Sequence, residues 1–285
     1  MSTVFQIYQY IKNSLETIYD TREAENITTI LLCYVFHFSE RIELHENRVL
    51  PIDIHTEKLI LHKLKRLMRY EPVQYVIHTA WFYSLDLYVN RHTLIPRPET
   101  EEMVHTLLME HSSTSLKVLD IATGSGCIAL ALKKNRPGWE ITATDISNDA
   151  LQMASCNAKK HFLEISFLND DIFNSVLYKQ SFDIIICNPP YIPVNEKEHI
   201  NKNVILYEPS LALFVPSENP LVYYEELIKI ASACLKKSGQ LYVEVHEQFA
   251  HEVEQLFAKS GFTTELFFDF NHKPRYIKST LYGQK

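Results

Sequence analysis

An apolar run, Phe182-Asp183-Ile184-Ile185-Ile186-Cys187, breaks off at Asn188-Pro189-Pro190-Tyr191. A β-branched stretch of this kind reads as a strand buried on both faces, in the middle of a parallel sheet. Pro189 and Pro190 lack an N–H and fix φ, so the strand ends there, and Asn188 before them is held extended. A rigid loop at the carboxyl end of a central strand is where open α/β sheets bind ligands. Asn188 offers a side-chain carbonyl and Pro189 a peptide carbonyl free of ladder duties. Two fixed acceptors can hold both hydrogens of an NH2 group, and Tyr191 supplies a flat face for the planar group that carries it. A bare Pro-Pro turn would be only a strand exit; the amide before it and the aromatic after it favour chemistry.

The surrounding pattern supports a sheet of that type. From Leu116 onward strands and helices alternate, the mark of a doubly wound parallel α/β fold. Strands are expected at 117–121, 140–145, 165–169, 182–187 and 239–245, with an antiparallel edge hairpin from 264–270 and 275–282. Helices are expected at 126–134, 148–160, 220–236 and 247–259, and the proline-rich segment 192–219 reads as a lid. Pro98 starts a further helix, with glutamates near its positive end. Residues 1–78 form a small helical domain, with Val4, Tyr8, Ile11, Leu15 and Ile18 on one face and Thr56–Tyr70 as a basic helix. Lys58, Lys63, Lys65, Arg66 and Arg69 of that helix make either a solvated face or a docking surface. Residues 79–97 link the domains through a β-hairpin, and 98–285 are the sheet domain.

A net charge of −7 argues against gripping nucleic acid mainly through phosphates, so no stable nucleic-acid binding is expected. Five dispersed cysteines without a C-x-x-C pair fit reduced thiols and a cytoplasmic protein. Met1–Asn13 lacks the features of a signal peptide, and no apolar run approaches the roughly 20 residues that span a bilayer, so no membrane association is expected. His246 and His251 are five apart, one too many for H-E-x-x-H, and no metal site is expected.

Val118-Leu119-Asp120-Ile121-Ala122-Thr123-Gly124-Ser125-Gly126 reads as strand, small-residue turn and helix start, where a ligand can approach the backbone. Asp145 ends the next strand, placed to accept from ribose hydroxyls. Gly124-x-Gly126-x-x-Ala129 also satisfies the dinucleotide pattern, so a nicotinamide enzyme competes. Asp120 weighs against it: a pyrophosphate is repelled by a carboxylate at the strand end, whereas a cationic amino-acid moiety is attracted. S-adenosylmethionine, with an ammonium, a sulfonium and a ribose, suits Asp120 and Asp145 better. Asp171 and Ile172, with Phe173, can bracket an adenine; equally, Asp170 and Asp171 read as plain turn residues at a strand end.

Taken together, the helical N-terminal region, Leu94-Ile95-Pro96-Arg97-Pro98-Glu99-Thr100-Glu101, the Asp120–Gly126 turn, Asp145, Asn188-Pro189-Pro190-Tyr191 and Glu208-Pro209-Ser210-Leu211-Ala212-Leu213 resemble the HemK/PrmC family over nearly the whole chain. The resemblance implies a class I, Rossmann-like methyltransferase. It implies S-adenosylmethionine as cofactor and N5-methylation of the glutamine in the Gly-Gly-Gln loop of class-1 peptide chain release factors. Carried over, Ala122, Thr123, Gly124, Ser125, Gly126, Asp145, Ile172 and Asn188 contact the cofactor. Asn188, Pro189, Pro190 and Tyr191 hold the substrate glutamine, and the helical domain helps grip the release factor. Asn-Pro-Pro-Tyr alone is shared with adenine-N6 and guanine-N2 nucleic-acid methyltransferases. Three positions depart from the family: Ala122 and His78 stand where glycine is usual, and the turn Asn271-His272-Lys273 lacks its glycine.

Overall fold

The structure, a computed structural model, describes residues 2–269 and 271–281. Phe270 and Tyr282, the expected ends of the two edge strands, and Met1 lie outside the described residues. The chain divides into two compact units, one comprising the residues up to Thr79 with Asn201–Tyr207, the other Ala80–Ile200 with Glu208 onward.

The first unit is helical. It contains α1 (Val4–Leu15), α2 (Thr21–Phe36), α3 (Arg41–Glu46), α4 (Ile54–Leu67) and α5 (Val73–Ile77). Thr3 and Gln6 form a reciprocal capping box on α1, whose Ile7, Ile11 and Leu15 are buried; Ile18 falls beyond its end. Asp53 accepts from the amides of His55 and Thr56, so α4 begins two residues before Thr56. Burying Leu31, Leu32, Ile60 and Leu67 completely contributes roughly 1.5–3 kcal/mol each. Two of the α4 cations are spent internally. Lys63 Nζ donates to Val76 O at 2.8 Å, and Arg66 makes a two-pronged bond to Glu71 at 2.8 and 2.6 Å. The exposed basic face is therefore Lys58, Lys65 and Arg69.

The second unit opens with the hairpin β1 (Thr79–Phe82) and β2 (Leu85–Tyr88), whose first residue belongs to the helical unit. Then follow α6 (Pro98–Glu110), β3 (Lys117–Ile121), α7 (Cys127–Asn135), β4 (Glu140–Asp145), α8 (Asn148–Lys160), β5 (Ser166–Asn169) and β6 (Phe182–Cys187). The segment expected as a lid carries structure of its own: β7 (Ile192–Pro193), a 3-10 turn, α9 (Lys202–Tyr207) and β8 (Phe214–Val215). α9 counts with the helical unit, where the Tyr207 hydroxyl donates to Arg69 O at 2.9 Å. α10 (Val222–Cys234), β9 (Leu235–Glu244), α11 (Ala250–Lys259), β10 (Phe262–Phe268) and β11 (Pro274–Leu281) complete the unit.

The main sheet has the order β10-β11-β9-β6-β3-β4-β5. Strands β3, β4, β5, β6 and β9 are parallel; β11 lies antiparallel between β9 and β10. Ile184 and Ile186 of β6 enter the core on one face with Leu107, Leu130 and Trp139. Ile185 and Cys187 enter the other with Leu227, Ile230 and Phe257. Helices covering both faces explain why this strand has no polar alternation. The strand order reverses between β3 and β6, so a crevice opens at their carboxyl ends.

Candidate active site

Register brings the two motifs together. Ile121 at the end of β3 pairs with Cys187 at the end of β6, which pairs on its other side with Val243 of β9. The next residues, Ala122 and Asn188 just past their strands and Glu244 at the end of β9, therefore stand at one level on three adjacent strands. Ala122 has φ of 58°, in the left-handed region that favours glycine. His78, capping α5 (φ 57°), and His272 (φ 58°) are left-handed as well. Ala122 and His78, which stand where the family has glycine, and one residue of the turn that lacks its glycine thus adopt backbone that favours glycine.

The β3–α7 turn is organised from below by Asp120, which is completely buried. Its Oδ2 accepts from Thr123 Oγ1 at 2.6 Å and from the Ala129 amide at 3.2 Å. Its Oδ1 is buried without a partner among the described residues. Burial pushes the Asp120 carboxyl up to about 7, against the pull of those two donors. Gly124 (φ 56°) donates its amide to Asp145 Oδ2 at 2.9 Å, and a Cβ there would meet nothing within 4 Å, which leaves the space above the turn open. Gly126 serves packing instead: a Cβ would stand 2.5 Å from Leu130 Cδ1. Asp145 Oδ1 takes the Ser147 amide at 2.9 Å. Burial raises its carboxyl, while the surrounding amides oppose the rise.

A cavity of about 260 Å³ opens over this turn. Of the residues singled out from sequence, Ala122, Gly124, Asp145, Asp171, Ile172, Asn188, Pro189 and Pro190 line it. Asp120, Thr123, Ser125, Gly126 and Tyr191 stand behind the lining, shaping the turn and the loop. Asp171 accepts from the Phe173 amide at 3.0 Å and so caps the turn beside the cavity. Phe173 and Tyr223, edge to face at 5.1 Å, make an aromatic wall that adds Tyr223 to the residues found from sequence. A strand-end carboxylate, apolar and aromatic walls and an open glycine turn suit a nucleoside.

The Asn-Pro-Pro-Tyr loop is tied down at both ends. Asn188 Nδ2 donates to Thr100 Oγ1 at 3.1 Å, and Thr100 Oγ1 donates to Glu244 Oε2 at 2.6 Å. The Tyr191 hydroxyl donates to Glu244 Oε1 at 3.0 Å, and its ring meets His246 edge to face at 5.9 Å. Thr100 and Glu244 are 2% and 3% exposed, as buried as core residues. Burial raises the Glu244 carboxyl, and the Thr100 and Tyr191 donors act against it. Sequence reasoning missed Glu244, although a lone acid inside Leu241-Tyr242-Val243-Glu244-Val245 was a visible signal. Nearby, Glu208 ties two loops together, accepting from the Ile95 amide at 3.1 Å and from Arg97 Nη2 at 2.7 Å.

The family profile described as Methyltransferase small domain matches residues 100–209. A crystal structure of a methyltransferase from Pyrococcus furiosus matches the fold with a TM-score of 0.53 at 15% identity, covering 80% of this chain and 98% of that one. The fold is that of a class I, Rossmann-like methyltransferase. The release factor glutamine methyltransferase of Flavobacterium psychrophilum is 38% identical over 95% of this chain and 92% of its own length. That of Streptococcus pneumoniae is 41% identical over 79% of this chain and 77% of its own length. The chain belongs to the release factor glutamine methyltransferase family. No helix among the described residues is long and apolar enough to cross a membrane.

Proposed function

We propose that this enzyme transfers a methyl group from S-adenosylmethionine to the side-chain amide nitrogen of the Gly-Gly-Gln glutamine of a class-1 peptide chain release factor. One observation carries the reading. Asn188 and Pro189 stand at the end of β6 on the rim of the cavity that also contains Asp145. Asp145 is placed to accept ribose hydroxyls, Ile172 and the Phe173–Tyr223 wall to enclose the adenine, and the open Gly124 turn to admit the methionine moiety. The orphaned Asp120 Oδ1 beneath that turn favours a positively charged group above it. When bound, S-adenosylmethionine supplies an electrophilic methyl on a sulfonium.

The protein's own task is to make an amide nitrogen nucleophilic. Its lone pair is delocalised into the carbonyl, so geometry must do what basicity does not. Asn188 Oδ1 and the Pro189 carbonyl accept the two N–H hydrogens and hold the nitrogen on the cavity side. Fixing reactants in this way can lower a barrier by ~7–11 kcal/mol in favourable cases. Both acceptor bonds strengthen as nitrogen becomes cationic, which is differential binding of the transition state. The extra proton then leaves to solvent without a dedicated base. Residues 1–78 are proposed as the domain that docks the release factor, with Lys58 and Lys65 of α4 and Arg69 just beyond it among its exposed cations. The formal charge of −7 supports a protein substrate over a nucleic acid.

The test is methyl transfer from labelled S-adenosylmethionine to a purified release factor and to its loop Gln→Ala variant. Label on the first and none on the second is expected. Label on added rRNA or DNA, with the release factor unlabelled, would overturn the proposal.

A further inference from the structure

Asn188 does its work only if its oxygen, not its NH2, faces the substrate. The two ends of an amide have nearly the same shape, so something else must choose between them. The choice follows from counting hydrogens along the buried chain. A threonine hydroxyl has a single hydrogen, and Thr100 gives it to Glu244 at 2.6 Å. Both Glu244 oxygens accept, one from Thr100 and the other from Tyr191, so the Thr100 hydrogen is committed to Glu244. Toward Asn188, 3.1 Å away, Thr100 can therefore only accept, and the group facing it must be the NH2. Oδ1 is left on the amide's opposite edge, and Asn188 lines the cavity.

We propose that Thr100 and Glu244 are positioning residues that set the flip of the Asn188 amide, so that its oxygen is presented to the substrate. Glu244 acts on both sides of the motif at once, because its second oxygen anchors the Tyr191 hydroxyl. The two residues come from distant parts of the chain, 144 positions apart. Both are almost fully buried, so water does not compete for the bonds. The inference rests on the methyl-transfer reading of Asn188.

Three variants separate orientation from fold. Thr100→Val keeps shape and removes the hydroxyl, Thr100→Ser keeps the hydroxyl, and Glu244→Gln keeps shape but brings an NH2 that can donate to Thr100. That donation frees the Thr100 hydrogen to bond Asn188 Oδ1 and turn the amide over. Thr100→Val and Glu244→Gln are expected to lower kcat about 10- to 100-fold, with KM for the release factor and cofactor affinity changed less than about threefold, and Thr100→Ser to recover most of the rate. In an Asn188→Ala background Thr100→Val should cost nothing further, because there is no amide left to orient. The Asn188 side-chain NH2 signals, identified by their loss in Asn188→Ala, should shift in Thr100→Val in the free protein. Undiminished kcat in Thr100→Val, or the same loss with and without Asn188, would overturn the proposal. An unlabelled release factor with wild-type enzyme would instead sink the substrate reading, and the amide signals would still report the orientation.

Discussion

Left-handed backbone at non-glycine positions is the most telling property of single residues in this chain. The sequence has 6 glycines, and the described residues include Ala122, His78 and His272 at φ near 58°. An L-residue in that region costs roughly 1–2 kcal/mol, partly offset because glycine loses more entropy on folding. Ala122→Gly and His78→Gly are therefore each expected to stabilise the protein by about 0.5–1 kcal/mol, measured by urea unfolding. Ala122→Gly also removes a methyl from the cavity lining, so its effect on cofactor affinity can be read in the same preparations. An unchanged or reduced stability for both would show that the left-handed turns are not strained.

The turn between β3 and α7 is the element whose electrostatics govern pH behaviour. Asp120 has a folded value of about 7 against about 3.9 for an unfolded aspartate. A carboxyl raised on folding stabilises fully below its unfolded value, and that contribution is lost as pH climbs to the folded value. Asp120→Asn should consequently gain on the wild type by about 1.4 kcal/mol per pH unit between roughly pH 4 and 7, then level off. Urea unfolding of cofactor-free protein from pH 5 to 8 gives the comparison; a flat difference would refute it. Much at this scale was legible beforehand. β3, β4 and β6 have the expected limits, because a buried run bounded by a turn leaves little choice of ends. α3 and α5, of 6 and 5 residues, were too short to show a period. β9 starts at Leu235, four residues early, since Leu235 pairs with Phe182 at the start of β6 and an irregularity in register follows before Gln240 pairs with Ile184. The Asn-Pro-Pro-Tyr loop could be read directly. The pairing of its supports, Thr100 and Glu244, could not, because it depends on how α6 packs against the end of β9.

Across the whole molecule, the cavity and the loop that borders it belong to one compact unit, while a separate core holds the helical unit together. Leu31 is fully buried in that second core. Leu31→Ala is expected to cost about 2–5 kcal/mol of unfolding free energy in the helical unit, with cofactor affinity within about twofold of wild type. Thermal unfolding and titration calorimetry on the full chain measure both. A matching collapse of cofactor binding would mean that the two cores do not hold independently. The helical unit is also discontinuous, since Asn201–Tyr207 returns to it from within the segment that follows the Asn-Pro-Pro-Tyr loop. That return is why 192–219 is not an open loop: part of it is a helix that counts with the helical unit, where the Tyr207 hydroxyl donates to Arg69 O.

Asn188 is followed by a proline, and this bears on how the protein ages. Asparagine side chains decay to aspartate when the next backbone nitrogen, stripped of its hydrogen, attacks the side-chain carbonyl and closes a cyclic imide. Pro189 carries no N–H, so that route is shut at the one asparagine whose conversion to a carboxylate would replace the orienting NH2 with a negative charge. The motif that shapes the site also protects it from hydrolytic wear.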